Sequence, residues 1–355
     1  MLTNSQLYSK KSKACLLACL FVYFCFAHIL QTATIQHNMK LKEILHDSMP
    51  IVGCVVGVSF VTGKEAQVFV GNGKNIALFA IVFCLLTTLL RLFCAKHKLQ
   101  NTQQFALFCF DKWGYVVYFA LLACFFVCLV TTLATVQSCL NQLVAKLPLP
   151  LWSAIVVLLS AIVLKWGGGA FRVVCTLAFA GAFVTFLFVS SGGNLPTQMD
   201  VKPLSTLLYC LFSITMVLPV CCQTKAKGNW QSVLCVVVAT IVVALLLWWV
   251  ERVADFSLPL PIGTNLHGLG KVCLCLTVIL CGMSGVVANA LPICQGVCDI
   301  LPQAPLRTFV VLGLGWALSC FGLDVFLKYG YMFVAFVGLA IVVCCLAKTC
   351  NKKPR

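Results

Sequence analysis

PIVGCVVGVSFVTGKEAQVF, Pro50 to Phe69, is the stretch on which the fold turns. It begins as an apolar helix of the kind that crosses a bilayer. Towards its far end it breaks into small and hydroxyl-bearing residues ahead of a Lys64–Glu65 pair. Gly57, Ser59, Thr62 and Gly63 stand where a plain spanning helix carries Leu, Ile or Val. In a bilayer, irregular backbone survives only where protein or a water-filled cavity covers it. A helix broken in this way exposes main-chain carbonyls and helix ends to a solute or ion. Gly53 and Gly57 also read as a GxxxG seam for close helix packing, but a seam leaves Ser59, Thr62 and Glu65 unexplained.

Working outward, the composition is that of an integral membrane protein. Hydrophobic residues make up 61% of the 355 and charged residues 10%, with a mean hydropathy of +1.03; soluble domains carry about 25% charge. The apolar runs have helix length and no alternation, which excludes a transmembrane barrel. The net charge of +16 is spread over short loops. No run of basic and aromatic residues tracks a nucleic-acid backbone, so no nucleic-acid partner is expected. Most of the 24 cysteines lie inside apolar runs, as at Cys124, Cys128, Cys175, Cys273, Cys275, Cys344 and Cys345, where Cys acts as a small hydrophobe. Cys294 with Cys298 and the Cys221–Cys222 doublet lack the ligand spacing of a zinc or iron–sulfur site. His28, His37, His46, His97 and His267 are scattered, and none forms a metal pair.

Apolar segments compatible with helices fall at about 14–34, 48–69, 74–95, 113–138, 151–166, 170–190, 203–222, 231–250, 269–291, 307–323 and 327–347. The first is an extra N-terminal segment behind Lys10, Lys11 and Lys13, read as a signal-like, anchoring or interfacial helix. The other ten form the core. Turns separate them at Gly71–Gly73, Pro148 and Pro150, Gly167–Gly169, Gly192–Pro196, and Pro259 with Pro261. If the residues before Pro50 are cytoplasmic, that face holds fifteen Lys and Arg, among them Arg91, against seven on the other. The positive-inside bias thus supports ten core spans with both ends inside.

The segment IVGCVVGVSFVTGKEAQVFVGNGKN resembles the first core helix of the YkvI-like bacterial membrane proteins, whose hallmark reads close to vGaGFaTGqEilqFF followed by a Gly turn. Gly53, Gly57, Phe60, Thr62, Gly63, Glu65, Gln67 and Phe69 fall on that pattern, while Ser59 and Lys64 depart from its usual Gly and Gln. That family is similar to the amino acid–polyamine–cation transporter superfamily. The resemblance implies an all-α polytopic membrane protein with about ten core helices in a LeuT-like five-plus-five inverted repeat. The implied divisions are 1–44 (basic N-terminus and extra segment), 45–190 (first repeat), 191–348 (second repeat) and 349–355 (basic cytoplasmic tail). It also implies that the sixth core span is interrupted like the first, near Tyr209, Phe212, Ser213, Thr215 and Pro219. Pro219 frees the carbonyl of Thr215. The alternative there is an ordinary Pro kink.

In transporters of this shape a sodium ion sits between carbonyls of the first span and hydroxyls of the eighth; Thr277 and Ser284 are the hydroxyls here. Small-residue packing reads the same positions equally well. The expected substrate-binding set is Gly57, Ser59, Phe60, Thr62, Gly63, Tyr209, Phe212 and Ser213. Glu65, Thr277 and Ser284 are the ion-coupling set. Glu65 is either a gating or proton-linked carboxylate or half of a hydrated pair with Lys64. Glu251, Arg252, Asp255, Asp324 and Lys328 read as surface charges near span ends.

The leading expectation is a multi-pass cell-membrane transporter of a small solute, such as an amino acid, coupled to sodium or protons and needing no other cofactor. The alternative is a sensor or assembly partner that keeps the fold without transport. An enzyme is not expected, because HExxH, GxSxG and paired membrane Asp residues are lacking. Nor is a channel, since no filter-like repeat appears.

Overall fold

The computed structural model describes residues 38–144, 150–189, 201–223, 229–254, 261–262, 268–298, 301–320 and 330–350, and every regular element among them is helical. The N-terminal segment 14–34 lies outside them, as do Pro148, Gly192–Pro196, Asp255, Pro259, His267, Asp324 and Lys328. Helix α1 (Asn38–Val55) runs through a buried Pro50 and stops. Val56 and Gly57 are not helical. One turn, α2 (Val58–Val61), follows, and after Thr62 and Gly63 a π-helical turn (Ala66–Val70) completes the first span. The chain continues as α3 (Gly73–Lys96), α4 (Thr102–Phe110), α5 (Gly114–Leu143), α6 (Leu151–Trp166) and α7 (Gly168–Val189). Then come α8 (Pro203–Gln223), α9 (Asn229–Val253), α10 (Leu269–Gly296), α11 (Ala304–Ser319) and α12 (Tyr331–Cys350).

Seven stretches among these are long and apolar enough to cross a membrane, and α6 and α11 are shorter apolar helices. With the interrupted first span they make the ten expected. At 1.5 Å per residue, the 16 residues of α6 rise ~24 Å, which a modest local thinning of the bilayer accommodates. The lipid-facing surface is legible from what each helix leaves outside. Ile81 and Leu85, Leu158 and Ile162, and Ile241 and Leu245 are exposed at one-turn spacing, a pattern water would not tolerate over so many helices. Exposed Trp113, Trp166 and Trp230 all sit at helix ends, the positions an interfacial aromatic belt would take.

Local chemistry explains the junctions. Gly71 (φ +71°) and Gly167 (φ +80°) hold left-handed conformations that let the chain reverse, at Gly167 with no residue to spare between α6 and α7. Asn72 caps α3 by accepting from the Asn75 amide, and Asn101 caps α4 from the Gln104 amide. The region between α3 and α5, counted above as loop, contains α4. Its nine residues are too short to span, and it buries Phe105, Ala106 and Cys109 against the ends of α5 and α12.

The sixth span is the clearest departure from expectation. Helix α8 is continuous from Pro203 to Gln223 with Pro219 inside it. The helix is not broken there. The Thr215 hydroxyl donates to the carbonyls of Leu211 on its own helix and Val334 on α12. Gly338 of α12 brings that helix so close that a Cβ there would collide with the Leu211 carbonyl.

Helix pairing has an internal regularity. When the first five spans are exchanged for the last five, many of the packed pairs map onto one another. First with seventh becomes sixth with second, first with fifth becomes sixth with tenth, and fourth with eighth becomes ninth with third; each of these pairs is in contact. The second–seventh, third–eighth and fourth–ninth pairs map onto themselves and are also in contact.

Candidate functional site

The interruption of the first span sets the site. In an unbroken helix the Gly57 amide would reach the Gly53 carbonyl; here it bonds to Val55 instead, at 3.0 Å. The released Gly53 carbonyl accepts from the Ser284 hydroxyl of α10 at 3.2 Å. Ser284 also lies 3.3 Å from the Cys175 thiol of α7, so three spans meet at this carbonyl. Beside Gly57 there is room. A Cβ built there meets nothing within 4 Å, whereas one on Gly53 would strike the Cys175 and Ser284 side chains. The first glycine of the GxxxG is therefore a packing glycine, and the second borders a gap.

Past the gap, the chain turns at Gly63, whose φ of +84° and contact with Pro261 exclude a side chain. That turn carries Glu65 into the protein, where it is 6% exposed. Burying a carboxylate is costly unless its oxygens are satisfied. Both are. Tyr209 of α8 donates to Oε2 at 2.6 Å, and Tyr331 at the start of α12 donates to Oε1 at 2.9 Å. The Ser59 hydroxyl lies beside that of Tyr331. Rings close around the carboxylate: Phe69 stacks on Tyr209 at 5.4 Å, and Phe212 lies 4.4 Å from Tyr331. Phe79 of α3 also packs against Tyr209, at 5.3 Å. One carboxylate thus ties the end of the first span to the beginnings of the sixth and tenth, under an aromatic cover.

The expected site residues divide into groups. Glu65, Ser59, Tyr209 and Phe212 come together in this cluster, and Gly57 borders the gap next to it. Phe60 is fully buried packing, and the Thr62 hydroxyl bonds back to the Ser59 carbonyl at 3.3 Å. The Ser213 hydroxyl donates to the Tyr209 carbonyl one turn earlier, at 2.8 Å. Ser284 reaches the first span, at the Gly53 carbonyl. Thr277 does not: it pairs with Thr185 of α7 at 2.9 Å, seven residues and ~10 Å of helix from Ser284. The pairing of Glu65 with Lys64 also gives way, since Glu65 is buried and takes two phenols. Tyr331 was not foreseen. A Tyr near the start of an apolar run, two residues after Tyr329, reads as an interface residue, and nothing in the sequence near it points to residue 65.

No family model matches the chain, and no curated protein matches it by sequence. The YkvI-like resemblance therefore rests on the residues of the first core helix. Solved structures of a manganese transporter from Eremococcus coleocola share the fold. One, in complex with an aromatic bis-isothiourea substituted compound, superposes with a TM-score of 0.52 at 14% identity, covering 85% of this chain and 75% of that one. Two mutants of the same transporter give a TM-score of 0.53 at 15% identity, covering 88% of this chain and 78% of theirs. At such identity the likeness is one of fold: an all-helical, multi-pass arrangement that solved membrane transporters also adopt.

Proposed function

We propose that the chain is a secondary transporter of a small solute, working by alternating access around its interrupted first span. The unwinding at Val56–Gly57 carries this reading, because it turns a main-chain carbonyl out of its helix and leaves room beside Gly57 at a three-span junction. The exchange symmetry of the helix pairs supports two repeats, at 45–190 and 191–348, flanked by the basic segments 1–44 and 349–355. Five spans is an odd number, so the second copy enters the membrane from the opposite side, as in inverted-repeat transporters. The YkvI-like family and the cell membrane as its location belong to the same proposal.

In this reading the Glu65 cluster is the closed gate on the face opposite the cytoplasm. Protonation of Glu65 would loosen its hold on Tyr209 and Tyr331, so that a proton gradient drives opening. Sodium has weaker support, because the two hydroxyls expected to hold it face different spans, Ser284 the first and Thr277 the fifth. An amino acid is the first substrate class to test: carbonyl and hydroxyl oxygens suit its ammonium, and the ring cluster suits an apolar side chain. Manganese is not carried over, since among the described residues no three His, Cys, Asp or Glu side chains come together as ligands.

The test is uptake of radiolabelled amino acids into proteoliposomes under an imposed pH or sodium gradient. Gradient-dependent flux that Glu65→Gln abolishes is expected. No flux under either gradient, with Glu65→Gln behaving as wild type, would favour the sensor or assembly-partner reading, towards which the wound α8 points.

A further inference from the structure

Helix α4 sits in the turn joining the second span to the third, so it lies at the membrane boundary whichever way the bundle faces. Its Phe108 is a shared platform. Lys348 of α12 stands over the ring at 5.6 Å, and the His97 ring meets it at 4.5 Å. The Lys348 ammonium also pairs with Asp111, the residue that follows α4, at 3.0 Å. Three more lysines flank these groups in the chain: Lys96 and Lys98 on either side of His97, and Lys112 directly after Asp111. All three are exposed.

Four lysines thus gather round one short helix, with one carboxylate among them. Asp111 is the only Asp or Glu on α3, α4, α5, α8 and α12 or in the turns between α3 and α5. Glu43 and Asp47, at the same end of the bundle on α1, are engaged by Gln231 at 3.3 Å and by His46 at 3.6 Å. The Asp111–Lys348 pair is open to solvent, its carboxylate side chain 74% exposed, and such a pair contributes little that a second anion would forfeit. Lysines left uncompensated beside a bilayer attract acidic headgroups. The start of α5 supplies the other half of a lipid's chemistry. Trp113 is exposed just before it, and Tyr115, Val116 and Phe119 are exposed at helical spacing along it. A free phosphate would use the lysines and leave this apolar face idle.

We propose that the α4 corner, with Lys96, Lys98, Lys112 and Lys348 around Phe108, binds an anionic phospholipid, its phosphate on the lysines and its acyl chains along the start of α5. Trp113 marks the level at which headgroup gives way to chain. The site shares no residue with the Glu65 cluster, so its failure leaves the transport reading untouched.

The experiment follows thermal unfolding of the purified, delipidated full chain with added phosphatidylglycerol or phosphatidylcholine of the same acyl chains. A saturable rise in Tm of several degrees is expected with phosphatidylglycerol alone. Lys98→Gln combined with Lys112→Gln should keep the lipid-free Tm and cut that rise by at least half. An equal rise in both lipids overturns the proposal, as does a rise that the double variant retains in full or that inorganic phosphate reproduces. Should the double variant fail to fold, Trp113 gives a second reading in mixed vesicles. The fluorescence quenching lost on Trp113→Phe should be several-fold greater with bromine on the phosphatidylglycerol chains than on phosphatidylcholine at the same mole fraction. Equal quenching by the two means that no anionic lipid collects at this corner, and overturns the proposal equally.

Discussion

Glu65 accepts one phenol on each oxygen, so removing either hydroxyl leaves a buried carboxylate oxygen short of a donor. Tyr331→Phe keeps the ring and its contacts with Phe69 and Phe212 while deleting that donor. It should destabilise the purified protein by about 1–3 kcal/mol, read as a lowered denaturation midpoint. Tyr209→Phe should do the same. Because both act through one carboxylate, the double variant should cost less than the two singles together. Lys64 provides the contrast. It is not the partner of Glu65, and Lys64→Ala should stay within about 0.5 kcal/mol of wild type by the same measurement.

At the scale of elements, the two glycines of the first span make opposite predictions. Gly53→Val drives a side chain into Cys175 and Ser284, and should cost about 1–3 kcal/mol as overpacking between three spans. Gly57 has φ −91° and ψ −174°, a conformation that Val adopts readily, and has nothing within reach of its Cβ. Gly57→Val should therefore keep a near wild-type Tm and block flux by filling the gap. A variant that transports normally would place the pathway elsewhere. In α8, Pro219 deprives a wound helix of one hydrogen bond, so Pro219→Ala should leave stability equal or higher and flux intact. Loss of flux in a well-folded Pro219→Ala protein would mean that α8 opens at some stage of the cycle.

For the molecule as a whole, the orientation proposed from the charge count would put the turn after α10 in the cytoplasm and the end of α11 on the other face. Each carries an exposed cysteine, Cys298 and Cys320. A membrane-impermeant maleimide should label Cys320 in intact cells and Cys298 only after permeabilisation, scored in variants that retain one of the two. The reverse pattern would invert the bundle and put the Glu65 gate on the cytoplasmic side. Most other described thiols are buried or partly buried among helices and should label slowly from either face.

Sequence alone was enough for the membrane class, the order of ten spans and the site of the first interruption, because each depends on local composition. A run of apolar residues must be long enough to span, and the irregular backbone that glycines and hydroxyls favour inside such a run cannot face lipid. Which groups answer one another was decided only by packing. Tyr331 reaches Glu65 from 266 residues away. Arg91, counted from sequence with the cytoplasmic charges, turns inward between α3 and α9. Pro219 reads from sequence as either a break or a kink, and α8 runs through it unbroken; Thr277 and Ser284 share a helix yet pair with different spans. Every one of these outcomes turns on contacts between helices far apart in the chain, where burial makes an unmet polar group too costly to leave and the arrangement of neighbours selects its partner.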